Sequence, residues 1–302
     1  MINPARCVNL QRSGLPLLLG AHVSIAGTMD SAVDRALELG CTTFQIFTRN
    51  PRGWRYKRLK KKEVEAFSQR TLSCGFRVFA AHMPYLPNLA SHDRKIRDRS
   101  LRALKTELLR CGALGIPYLV THLGSHMGKG LEEGQRRVAL ACNRALEDVQ
   151  NDVVLLLENT AGTKNSLGSS FEHIRSIMEL IYLPERIGVC FDTSHGFAAG
   201  YDLRDSEAVE RTMEEFDRAI GLDRLRMVHL NDSKVDLNKH ADRHEHIGLG
   251  FIGKKGISAI ISHKSLAKLP FVLETPVDER GDTASDLARV REIARSISAG
   301  SV

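Results

Sequence analysis

The sequence predicts a single (β/α)8 barrel, an α/β fold, and three observations carry that expectation. Short apolar or β-branched runs alternate with amphipathic segments eight times from residue 17 onward. A compact chain that alternates in this way must pair its strands in parallel, with each helix serving as a crossover. Besides the first run, which ends on His22, six of the eight end on or beside a histidine or a carboxylate, as expected of a barrel whose site gathers at the C-terminal ends of its strands. The runner-up, a doubly wound open sheet, lacks its sequence mark: no G-x-G-x-x-G follows the first run, so no dinucleotide cofactor is expected.

Taken in order, the first strand is expected over 17–22 (LLLGAH), before a helix over 30–39. Strand two, 43–47 (TFQIF), leads to a helix over 61–74, and strand three, 77–82 (RVFAAH), to a long helix over 95–114. Strands four, 118–122 (YLVTH), and five, 153–158 (VVLLLE), flank a helix over 133–149. A helix over 171–181 precedes strand six, 187–192 (IGVCFD), and one over 206–220 precedes strand seven, 227–230 (MVHL). A helix over 257–266 precedes strand eight, 271–274 (FVLE), and a last helix over 283–296 follows it. The helices are assigned because apolar residues recur on one face, the strands because short apolar runs are bounded by polar residues.

A length of 302 residues could hold two domains, but one barrel commonly takes about 250. No linker rich in Gly, Pro or Ser divides the chain, so residues 17–302 are expected to form one barrel domain, with 1–16 as a loosely held extension. An apolar content of 42% with 26% charged residues excludes wholesale disorder. No run approaches the roughly 18 apolar residues of a membrane helix, and the apolar stretch 15–19 is too short for a secretory signal. The six cysteines (7, 41, 74, 111, 142 and 190) form no C-x-x-C and read as reduced, buried thiols of an intracellular protein. The net charge, 43 − 36 = +7, permits a nucleic-acid partner without demanding one.

The six strand-end residues are His82, His122, Glu158, Asp192, His229 and Glu274. Any one of them alone would be an ordinary helix cap or polar loop residue. Six on one face of a parallel barrel ring a common opening. Beyond strands six and seven lie His195, three residues after Asp192, and the pair Asp242 and His244. Alone, D-x-H in the polar stretch 239–246 would read as a solvated loop. Together these are five histidines and four carboxylates, more than one or two ions need and a natural set for three. Imidazole and carboxylate ligands without cysteine suit zinc, and also manganese or iron. Three divalent ions against four carboxylates leave +2, a charge fitted to a phosphodiester.

Residues 49–62 carry eight basic side chains and no acid, with Trp54 and Tyr56 interleaved. Such a run is often only solvated helix. Here it follows a barrel strand, on the face of the proposed site, where it could meet DNA phosphates. Beside His82, Pro84 and Pro87 stiffen a loop whose tip is Tyr85 and Leu86. An apolar tip of that kind either folds back on the rim or serves as a wedge between base pairs.

With these residues in view, the chain resembles the endonuclease IV family of apurinic/apyrimidinic endonucleases. The resemblance rests on GAHVSIAG (20–27), FTRNPRGW (47–54), HMPYLPNLAS (82–91), THLGSH (121–126), LENTAG (157–162), FDTSH (191–195), HLNDSK (229–234), DRHEHIG (242–248) and LETP (273–276), in register from about 17 to 276. It implies three zinc ions: one on His82, His122 and Glu158; one on Glu158, Asp192, His229 and Glu274; and one on His195, Asp242 and His244. Glu158 would bridge two ions and orient the attacking hydroxide. Arg52, Tyr85 and Leu86 would enter duplex DNA at the lesion. The implied reaction is hydrolysis 5′ to an abasic site, leaving a 3′-hydroxyl and a 5′-deoxyribose phosphate, with manganese able to replace zinc in part. The implied protein is a cytoplasmic, nucleoid-associated monomer. Glu245 stands where the family pattern suggests a second histidine, and His92, His173 and His263 read as surface residues.

Two other classes compete. A sugar isomerase or epimerase on a related barrel would use one or two ions, and it has no evident need of His195, Asp242, His244 or the basic loop. A DNA-binding module with structural zinc would be closed by cysteines, and this ligand set has none.

Overall fold

In the computed structural model, which describes residues 17–299, seven strands follow one another as β1 (Leu19–His22), β2 (Thr43–Phe47), β3 (Ala80–His82), β4 (Tyr118–His122), β5 (Val154–Glu158), β6 (Ile187–Asp192) and β7 (Leu225–His229). A two-stranded antiparallel ladder, β8 (Asp232–Ser233) with β9 (His244–Glu245), comes next, and β10 (Phe271–Leu273) closes the barrel between β7 and β1. All eight barrel pairings are parallel. The helices are α1 (Ser31–Glu38), α2 (Lys61–Ser73), α3 (Arg94–Leu114), α4 (Leu131–Asp148), α5 (Phe171–Met178), α6 (Thr193–Ala199), α7 (Ser206–Ala219), α8 (Gly253–Ser262) and α9 (Thr283–Ala299). The proposed extension 1–16, and Cys7 within it, lie outside the described residues.

Strand alternation decides what fills the barrel and what crowns it. Ala80, Val120, Leu156, Cys190, Met227 and Val272 form a small buried cluster of their own, apart from the larger core between strands and helices. Residues two apart on a strand share a face. Each member of the small cluster therefore sends the residue two positions later to the same inner side: His82, His122, Glu158, Asp192, His229 and Glu274. The register levels them, with His122 opposite Glu158, and Asp192 opposite His229. β1 and β2 run so close that a Cβ on Gly20 would lie 1.8 Å from the Thr43 carbonyl oxygen, so only glycine fits there.

All eight expected strands and eight expected helices form, with shifted ends. β3 keeps only three residues of the expected six. α8 begins at Gly253, earlier than the expected 257, because the buried Asp232 carboxylate accepts the N–H groups of Ile252 and Gly253 and so caps the helix from a distant strand. α6 has no counterpart among the expected helices. Asp192 caps it by accepting from His195 N at 2.8 Å, and its seven residues are too few to show a helical period.

The five described cysteines are buried thiols, and burial pushes Cys41, Cys142 and Cys190 up to about 12. Among the described residues no helix is long and apolar enough to cross a membrane.

Candidate metal centre

The inner strand ends bring donor atoms together in three groups, each within 4.8 Å: His82, His122 and Glu158; Glu158, Asp192, His229 and Glu274; and Asp192, His195 and His244. The first two groups are the sets expected from the sequence. In the third, the acid whose donor atom falls within that spacing is Asp192. Asp242 approaches from the loop before β9, its Oδ1 3.2 Å from His195 Nε2 and 3.8 Å from His244 Nε2. All nine expected side chains thus face one opening.

Glu158 is wholly buried and its two oxygens face different groups. Oε2 lies 3.1 Å from His82 Nε2 and 3.6 Å from His122 Nδ1, whereas Oε1 lies 2.9 Å from His229 Nδ1. Burial alone would raise its pKa; the surrounding imidazoles, His122 and His229 first, instead hold it well below the usual carboxylate range.

Four of the five histidines have one ring nitrogen committed to an outer partner. His82 Nδ1 donates to the Met83 carbonyl at 2.7 Å, His195 Nδ1 to the Asn159 carbonyl at 3.0 Å, and His244 Nδ1 to the Glu274 carbonyl at 3.0 Å. His229 Nε2 donates to Gln45 Oε1 at 2.9 Å. In each case the other nitrogen is turned toward the shared acids. His244 Nε2 is buried without any hydrogen-bond partner, an orphan that a divalent ion would satisfy. Such a set of nitrogens and carboxylate oxygens fits zinc or a similar ion at each group.

Burial would lower His195, but the Asp192 charge and the Asp242 hydrogen bond raise it to about 10; Asp242, bonded to His195, falls to about 2. His122 is lowered, with burial outweighing the pull of Glu158.

Above these groups lies a cavity of about 360 Å³, lined by His22, His82, His122, His195, Asp242, His244, Glu274 and the ring of Tyr85. Tyr85 and Leu86 are 61% and 40% exposed. Tyr85 N donates to the Pro51 carbonyl and its ring packs edge-on against Phe47, which ties the tip to the loop carrying exposed Arg52.

The barrel and its donor groups have counterparts in other proteins. A family model described as a xylose isomerase-like TIM barrel matches residues 33–297. "Probable endonuclease 4" of Methanoculleus marisnigri is 55% identical over 279 residues, covering 92% of this chain and 99% of its own. The chain belongs to the endonuclease IV family. The crystal structure of endonuclease IV from Thermus thermophilus superposes with a TM-score of 0.81 at 35% identity, covering 92% of this chain and 99% of that one. A D-tagatose 3-epimerase-like protein superposes at 0.65 with 19% identity, covering 92% and 96%, a likeness of fold alone.

Several residues of this endonuclease IV chain have roles the sequence did not disclose. Arg49, counted with the basic loop, is 5% exposed. Its Nε meets Glu107 Oε1 at 2.5 Å and its Nη1 holds the Gly53 carbonyl. Glu107 is fully buried and also accepts from Thr48 at 2.5 Å. Arg110 adds bonds to Thr48 and the Lys57 carbonyl. This buried network anchors the start of the loop to α3, while Arg52 and the other basic residues from 55 to 62 stay exposed. Glu245 pairs with Arg280 at 2.8 Å and joins none of the three donor groups. His246 is buried between Asp278 and Asp286. His263, expected at the surface, is largely buried with Nε2 3.2 Å from Glu210.

Proposed function

We propose that this protein is an apurinic/apyrimidinic endonuclease that hydrolyses the phosphodiester 5′ to an abasic site in duplex DNA. The P–O3′ bond breaks, water adds to phosphorus, and the products are a 3′-hydroxyl and a 5′-deoxyribose phosphate. The observation that carries this reading is Glu158, buried at the centre with one oxygen toward each of two donor groups.

The nine side chains would hold three zinc ions, with manganese able to replace zinc in part: one on His82, His122 and Glu158; one on Glu158, Asp192, His229 and Glu274; and one on His195, Asp242 and His244. Bound ions would supply Lewis acidity, a low-pKa water and charge neutralisation at the scissile phosphate. The protein's own side chains do the rest. Glu158 keeps the two central positions at a fixed spacing. The outer bonds of His82, His195, His229 and His244 aim their free nitrogens inward. Tyr85 and Leu86, exposed on a loop pinned to Pro51, fill the gap left by the missing base, and Arg52 binds the backbone beside it. The cavity takes a swung-out sugar phosphate, and swinging out is least costly where no base is stacked. The protein would act as a monomer on DNA in the cytoplasm.

A duplex containing one tetrahydrofuran site tests this function, because that analogue cannot undergo β-elimination and a nick reports hydrolysis. The expected result is a single nick 5′ to the site with a 3′-hydroxyl end, abolished by chelation and restored by added zinc. An intact duplex under zinc-loaded conditions, or a nick on the 3′ side, would contradict it.

A further inference from the structure

We propose that Gln45 is a positioning residue: it fixes which nitrogen of His229 and which oxygen of Glu274 face the central donor group. The inference rests on the reading that an ion sits in that group. Gln45 is fully buried in β2, a lone amide inside TFQIF, and pairs in register with His22 of β1.

The hydrogen-bond directions follow from the one partner that has no choice. An ionised carboxylate only accepts, so the Gln45 atom 2.6 Å from Glu274 Oε1 is the amide nitrogen. The amide oxygen is then the atom 2.9 Å from His229 Nε2, and that nitrogen must carry the proton. With an ion in the group, His229 Nδ1 is the nitrogen left to present a lone pair to it. It lies 2.9 Å from Glu158 Oε1 and 3.4 Å from Glu274 Oε2, inside the group.

The amide thus tethers Glu274 by Oε1 and leaves Oε2 to face inward. Its second hydrogen reaches His22 Nδ1 at 3.0 Å, so that nitrogen accepts and the proton of neutral His22 sits on Nε2. One amide thereby sets the tautomers of two histidines and the rotation of one carboxylate. An apolar side chain at 45 would leave the His229 ring free to turn over and Glu274 free to swing.

The test reads binding and tautomer rather than turnover. Protein labelled with 15N-histidine and loaded with zinc is compared with Gln45→Met and Gln45→Glu by long-range 1H–15N correlation NMR, and zinc affinity is measured by chelator competition. In the native chain His229 is expected to carry its proton on Nε2. Gln45→Met is expected to lose that signature and to bind one of its zinc ions about 10- to 100-fold more weakly. Gln45→Glu keeps the acceptor and is expected to retain the His229 signature. A His229 proton on Nδ1 in the native zinc-loaded chain would overturn the proposal, as would zinc binding by Gln45→Met within twofold of native. If Gln45→Met does not fold, the native and Gln45→Glu spectra decide. A native chain that binds no divalent ion would overturn the metal centre itself, and this inference with it.

Discussion

Glu158→Gln is expected to lower incision of an abasic duplex by at least about a thousandfold, the scale of losing an electrostatic group at a reacting phosphate. The substitution keeps the shape of the side chain but removes its charge and turns one oxygen into an N–H2 group. That group would meet either His82 Nε2 or His229 Nδ1, which lie 3.1 and 2.9 Å from the present oxygens. Whichever nitrogen faces the amide N–H2 could then no longer share an ion with residue 158, and the remaining oxygen would be an uncharged, weaker ligand. The measurement is kcat on a tetrahydrofuran duplex, with metal content per chain determined on the same sample. Activity near native would remove Glu158 from the central role.

Chelation is expected to have the second large effect, on stability. If free ion stands about a thousandfold above its dissociation constant, each site contributes about 4 kcal/mol, and losing it lowers Tm by roughly 10 °C in a chain of this size. The chelated protein should also acquire a distinctive pH dependence. His195 is raised from 6.5 to about 10 by Asp192, Asp242 and Glu158, against the opposing effect of burial. Its contribution is therefore complete below pH 6.5 and is lost as pH rises through 10. Asp242, lowered from 3.8 to about 2, contributes above 3.8 and is lost as pH falls through 2. The Tm of the chelated protein should thus fall between pH 7 and 10. Zinc binding, which requires unprotonated imidazole, should strengthen over the same interval and release protons at pH 7. Calorimetry in buffers of different ionisation enthalpy reads that release, and its absence would contradict the assignment of His195.

The barrel was legible because its strands are short apolar runs with polar punctuation, and the site because six metal-ligating side chains fall at their ends. Both follow from local rules: strand period, and the common direction of parallel strands. The parts that escaped depend on contacts distant in sequence. Asp232 caps α8 from 20 or more residues away. Arg49 reads as one more cation of a basic loop until Glu107, 58 residues on, is seen to bury it. Gln45 is the clearest case. A single amide in an apolar strand is a weak sign by itself, and its meaning depends on partners 184 and 229 residues later. The pair Asp242 and His244, by contrast, was legible from its spacing; Asp242 stays exposed as its polar stretch suggests, whereas β9 carries His244 inward so that its Nε2 ends buried.

Anomalous diffraction from crystals of the zinc-loaded protein tests the trinuclear centre most directly. Three peaks are expected: one beside His82, His122 and Glu158, one among Glu158, Asp192, His229 and Glu274, and one beside His195, Asp242 and His244. Fewer than three peaks under saturating zinc, or a third peak away from His195 and His244, would contradict it.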